Sequence, residues 1–74
     1  MKHQRVTVAF TGVGPGRVDW TAELWEFSGE EILKELHRSH AFTRLPDIDY
    51  DLRAGTGNIW MGGTIPMGRF EVVK

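Results

Sequence analysis

One segment of this chain reads as an amphipathic helix, and only one. It opens at FSGEEI, residues 27–32. Ser28 followed by Glu31 is a capping-box pair: the serine oxygen accepts from the Glu31 amide, and the glutamate can reach back to the Ser28 amide. Phe27 and Ile32 have the spacing of a hydrophobic staple around that cap. Glu30 and Glu31 suit the positive start of a helix, and His37, Arg38 and His40 suit its negative end. Ile32, Leu33, Leu36 and His40 fall on one stripe, with Glu30, Glu31, Lys34, Glu35 and Arg38 over the rest, so the helix is expected over residues 29–40. One helix covers one face of an antiparallel sheet. The other segments must therefore build a sheet with one covered face and one bare face.

Those segments read as strands. RVTVAFT (5–11) places Val6, Val8 and Phe10 on one face. GVGPG (12–16) breaks it. RVDWTAELWEF (17–27) resumes with Val18, Trp20, Ala22 and Leu24, and then slips phase at Trp25 and Phe27; a bulge near Leu24 or an early strand end would explain the slip. DIDYDLR (47–53) alternates Ile48, Tyr50 and Leu52 against three aspartates and an arginine. AGTGN (54–58) has the composition of a hairpin turn. IWMG (59–62) is a strand, GTIPMG (63–68) a turn or bulged connection, and RFEVVK (69–74) the last strand. The order is ββαβββ. The expected fold is α+β, a two-layer sandwich of four to five antiparallel strands under one helix, forming one small domain over residues 1–74. The expected inward set is Val6, Val8, Phe10, Leu24, Ile32, Leu33, Leu36, Ile48, Tyr50, Leu52, Phe70 and Val72.

Size and charge limit the functions open to such a chain. At 74 residues it buries only roughly 60% of its unfolded surface. It has no cysteine, so neither disulfides nor thiolate metal sites are available. That composition suits a reducing compartment. The formal net charge is −1, without the basic excess usual in nucleic-acid binders. No apolar run reaches the roughly 20 residues that span a bilayer, and the start MKHQRVTVAF does not read as a secretory signal. A soluble cytoplasmic protein is expected, with no membrane partner.

Motifs of chemistry are weak. The glycines at 12, 14 and 16 lead into a strand, whereas a phosphate-binding loop opens a helix, so a plain hairpin loop is the better reading. DIDYDL has aspartates at the first, third and fifth positions of a calcium loop but lacks its glycine and glutamate. His37 and His40, with His3, fall short of a zinc spacing. Ser28 is committed to a cap, and Ser39 beside His40 has no triad context. No catalytic residue, cofactor or metal site is expected.

The bare face is the informative feature. In GNIWMGGTIP (57–66), strand alternation puts Trp60 and Met61 on opposite faces, so one of them must reach the side without the helix. Trp20 and Trp25 raise the same issue on the second strand, and Val73 adds an outward apolar residue. Aromatics and methionine are enriched at contact surfaces. Asp47, Asp49 and Asp51 form an acidic row, which reads either as a solvated edge that discourages sheet pairing or as a ridge for a basic groove. The expected function is a non-enzymatic protein-binding module, working through a protein partner or as a homodimer, with Trp60, Met61, Asp47, Asp49, Asp51 and Trp25 as contact residues. Small stand-alone α+β domains with acidic rows occur among phage and mobile-element inhibitors, including anti-CRISPR proteins; size and class place the chain in that company, and no family motif does. The alternative is a nucleic-acid-binding module, with Trp20, Trp25 or Trp60 stacking bases beside Arg17, Arg53 and Arg69.

Overall fold

The computed structural model describes residues 5–39, 46–62 and 64–73. Its elements are β1 (Val6–Val13), β2 (Val18–Leu24), α1 (Gly29–Arg38), β3 (Asp47–Asp51), β4 (Thr56–Met61) and β5 (Ile65–Val72). This is the expected α+β fold in ββαβββ order. All five strands pair antiparallel in the order β2-β1-β5-β4-β3. Three of the pairings are between consecutive strands. The fourth, β1 with β5, brings the first and last strands together in the middle of the sheet. The helix joins β2 to β3, the two edge strands, so the chain must cross the full width of one face. Alternation on β1 and β2 supplies the apolar face that the crossing covers.

The core is organised around one row of register partners. Trp20, Phe10, Phe70, Gly57 and Tyr50 lie opposite one another from β2 to β3. Phe10 stacks on Trp20 with centroids 4.6 Å apart and is 6.0 Å from Phe70. Gly57 leaves a gap in the row, and the Phe70 ring lies over it. Phe27, at the entry to α1, bridges the gap: its ring is 5.9 Å from Phe70 and 5.8 Å, edge-on, from Tyr50. Aromatic pairs of this kind contribute roughly 0.5–1.5 kcal/mol each beyond their area burial. Val8, Val13, Leu24, Ile32, Leu36 and Ile59 complete the buried core.

The helix cap is half of the expected box. Ser28 Oγ accepts from the Glu31 amide at 3.3 Å. The Glu31 carboxylate turns instead to Lys34, at 3.7 Å. The helix ends at Arg38 with Ser39 as its C-cap, short of the expected His40, which lies outside the described residues. Ser28→Ala should cost about 1 kcal/mol, since the bond lost is long and only part-buried. Coincident urea midpoints for variant and wild type would show that the cap contributes nothing.

Several sequence expectations need correction. Leu52 was expected inward but is 68% exposed, because β3 ends at Asp51 and residues 52–55 form the turn. Gly55 N–H donates to the Asp51 carbonyl to close that turn. Tyr50 points to the helix side yet is still 41% exposed at the sheet edge, with one flank on Phe27. Glu35 was expected on the polar cover and is buried. Both of its oxygens are used: Trp20 Nε1–H donates to Oε2 at 3.0 Å, and Arg38 donates to Oε1 at 2.7 and 3.2 Å. A buried carboxylate needs such partners to offset its lost hydration. The phase slip after Leu24 is explained by the strand ending there.

Candidate functional site

The helix-free face is built from the alternate residues of the same strands. Across it run Asp49, Asn58, Arg69 and Thr11 as register partners, with Asp47 opposite Trp60 and Trp60 opposite Pro66 in the neighbouring row. Asp51, Thr56, Glu71, Ala9 and Thr21 form a third row. Trp60 is therefore the one large aromatic residue on the bare face among the described strand residues. It is only half-buried.

Asp49 holds that tryptophan in place. Trp60 Nε1–H donates to Asp49 Oδ2 at 2.9 Å, and Asn58 Nδ2–H donates to Oδ1 at 3.2 Å. The pairing follows from the register: Asn58 lies directly opposite Asp49 on β4, and Trp60, two residues on along the same face, is its diagonal neighbour. A side chain fixed this way loses little freedom when a partner covers it.

The acidic row divides into three roles. Asp49 positions Trp60. Asp51 Oδ1 accepts from the amides of Arg53 and Ala54 at 2.9 and 3.2 Å, which makes it the cap of the β3–β4 turn. Asp47 is exposed and has no hydrogen bond or ion pair among the described residues. The row is thus one structural carboxylate, one positioning carboxylate and one available for contact.

The remaining nominated residues lie elsewhere. Met61 faces the helix side and packs against the core. Trp25 follows β2, at the opposite edge of the sheet from β3, and is 60% exposed. The Arg5 guanidinium sits 4.7 Å above its ring and pairs with Glu23 at 3.6 Å. The structure therefore brings together Trp60, Asp47, Asp49 and Asp51, and separates Met61 and Trp25 from them.

The segment 63–68, expected as a turn or bulged connection, carries the bulged start of β5, which begins at Ile65 rather than at residue 69, and the cleft beside Trp60 was not expected. β5 carries one extra residue, Met67, because Gly68 pairs with Ile59 and Pro66 with Trp60. An interior strand accommodates a proline at such a break, where no ladder N–H is required. Gly14 N–H donates to the Met67 carbonyl at 3.0 Å, tying the β1–β2 loop to the bulge. Gly12 N–H donates to Asp19 Oδ1 at 2.7 Å and holds the base of the same loop. Between loop and strands lies an open cleft of about 480 Å³, lined by Thr11, Arg17, Asn58, Trp60, Pro66 and Arg69 among others. A proline in an otherwise apolar run was the available signal for the bulge; the cleft depends on strand order and was not legible.

Among the described residues, no three histidine or acidic side chains are grouped to hold a metal ion, and no helix is long and apolar enough to cross a membrane. His3 and His40 lie outside those residues. No family model, no curated protein and no solved structure matches the chain.

Proposed function

We propose that the chain is a non-enzymatic protein-binding module acting in the cytoplasm, and that its contact surface is the helix-free face centred on Trp60. The observation that carries this reading is the Trp60–Asp49 hydrogen bond, 2.9 Å long, on an otherwise polar face. It presents an aromatic ring in a fixed orientation with unpaired Asp47 beside it. Tryptophan is the residue type most often found as an interface anchor, and a charged rim sets orientation and approach rate.

The face bears Asp19, Glu23, Asp47, Asp49, Asp51 and Glu71, with Arg69 as the strand cation among them. Its acidic side suits a basic surface, such as the groove of a protein that handles nucleic acid. That is the inhibitor or accessory role, of phage or mobile-element type such as an anti-CRISPR, expected from size and class. A nucleic-acid strand has one sign of charge throughout and would have to pass Asp47 and Asp49 to stack on Trp60. A protein can present both signs, which favours the protein partner.

The test is affinity capture from source-cell extract with wild type and Asp47→Lys as baits. The substitution should leave unfolding free energy within about 0.5 kcal/mol, since Asp47 has no partner to lose. Wild type should retain one protein at a stoichiometric level and the variant should lose most of it, with light scattering separating a homodimer from a foreign partner. Equal retention by both baits, or a salt-sensitive shift of nucleic acid with no protein retained, would reject the reading.

A further inference from the structure

Arg17 is the one non-glycine residue with positive φ among the described residues, at 50°. It follows glycine in a loop rich in that residue, at a position where glycine itself or asparagine would fit with less strain. A side chain kept in the left-handed region at a cost invites the question of what the side chain does. Arg17 lines the cleft beside Trp60, and Arg69 lines it from β5. Neither guanidinium has a carboxylate within ion-pair distance among the described residues, whereas Arg5 and Arg38 both do. The loop bearing Arg17 is anchored at Gly12, at Gly14 and by its own amide, which donates to the Gly14 carbonyl at 3.1 Å.

Two unpaired guanidinium groups beside an apolar ring form a receptor for an oxyanion carried next to a flat or apolar group. We propose that this cleft takes an acidic side chain of the protein partner, a glutamate or aspartate flanked by an apolar residue that lies on Trp60. The proposal rests on the protein-binding reading above and specifies its second half. The Asp47 side of the face meets positive charge on the partner, and the Arg17–Arg69 side meets negative charge. The sign of the neighbouring row selects the source: Asp49 is bonded directly to Trp60, so a lone carboxylate among neutral or basic residues fits, and a continuous phosphate chain does not.

The test uses the indole N–H cross-peaks of the folded protein. Trp60 is assigned by its loss in Trp60→Phe, and Trp20 and Trp25 serve as internal references. The probes are acetyl-Phe-Glu-amide, its Gln counterpart, acetyl-Phe-Lys-amide and a short oligothymidylate. The Glu peptide should move the Trp60 signal alone, and replacing Glu by Gln should weaken binding by roughly tenfold, the scale of one charge-assisted hydrogen bond. Arg17→Gly should cause a similar loss while its unfolding midpoint stays at or above that of wild type, since the strain is relieved. Equal binding of Glu and Gln peptides, or unchanged binding by Arg17→Gly, would overturn the proposal. Tighter binding of oligothymidylate than of the Glu peptide would replace it with nucleic-acid recognition. Binding of the Lys peptide alone, at Asp47, would overturn the cleft assignment and leave the protein-contact face standing.

Discussion

Gly57→Ala should lower the free energy of unfolding by about 3 kcal/mol, near the upper end for overpacking a core. The position has no unusual backbone angle, so conformational freedom does not explain the glycine. Space does. A methyl group built there would collide with the Phe70 ring and lie 2.6 Å from the Asp49 carbonyl oxygen. Phe70 could yield only by leaving its place between Phe10 and Phe27. The Asp49 backbone could yield only by loosening β3 from β4. A domain of this length has roughly 4–11 kcal/mol of total stability, so the variant would be near its folding limit. Gly62→Ala is the matched control: its φ is +62° and nothing lies within 4 Å of the added atom. It should cost about 1 kcal/mol, from backbone strain alone. Urea denaturation of the two variants decides the matter, and similar midpoints would mean that the Phe70 ring does not occupy the space above Gly57.

That contrast also explains which parts of the fold could be read in advance. The cap at Ser28 and the alternation of Val6, Val8 and Phe10 are local signals, and the structure places all of them as expected. The boundaries of β4 and β5 were harder, because glycines at 57 and 68 and proline at 66 read as punctuation. Gly57 instead accommodates an aromatic ring from the next strand. Gly68 sits at φ +134° where an added atom would lie 2.9 Å from Val13 Cα, so it permits close approach of β5 to β1. Such reasons are tertiary, and no window of neighbouring residues contains them. Glu35 illustrates the same limit from the polar side, since its burial makes sense only once Trp20 is known to lie beneath it. On the helix-free face, alternation separated Trp60 from Met61 but left undecided which one turned away from the helix. The answer came from β5: Phe70 and Ile59 must both face the core, and Trp60, next to Ile59, is turned to the bare side. The Asp51 carboxylate looked like part of a docking ridge and is a turn cap, because an Asx turn and an acidic row have the same composition.

Trp60→Ala should weaken partner binding by about 2 kcal/mol or more, roughly thirtyfold, the scale of an interface anchor. Its effect on folding should be smaller, about 1 kcal/mol, because the side chain is half-buried and loses one exposed hydrogen bond to Asp49. Met61→Ala should show the opposite pattern. Its side chain packs against the core from the helix side, so truncation should cost about 1–2 kcal/mol of stability, below the range for a fully buried methionine, with binding unchanged. The two residues are adjacent in the chain and similar in apolar character, and the pleat places them on different faces of the sheet. Measuring affinity and unfolding free energy on both variants gives four numbers with a definite pattern. If Trp60→Ala instead costs several kcal/mol of stability and leaves affinity intact, Trp60 is a core residue of a face that contacts nothing. If both variants lose binding in proportion to stability, the loss reflects unfolding and the anchor assignment fails. Only loss of binding at Trp60 with loss of stability at Met61 fits a domain that keeps its core under the helix and its contact surface on the bare side of the sheet.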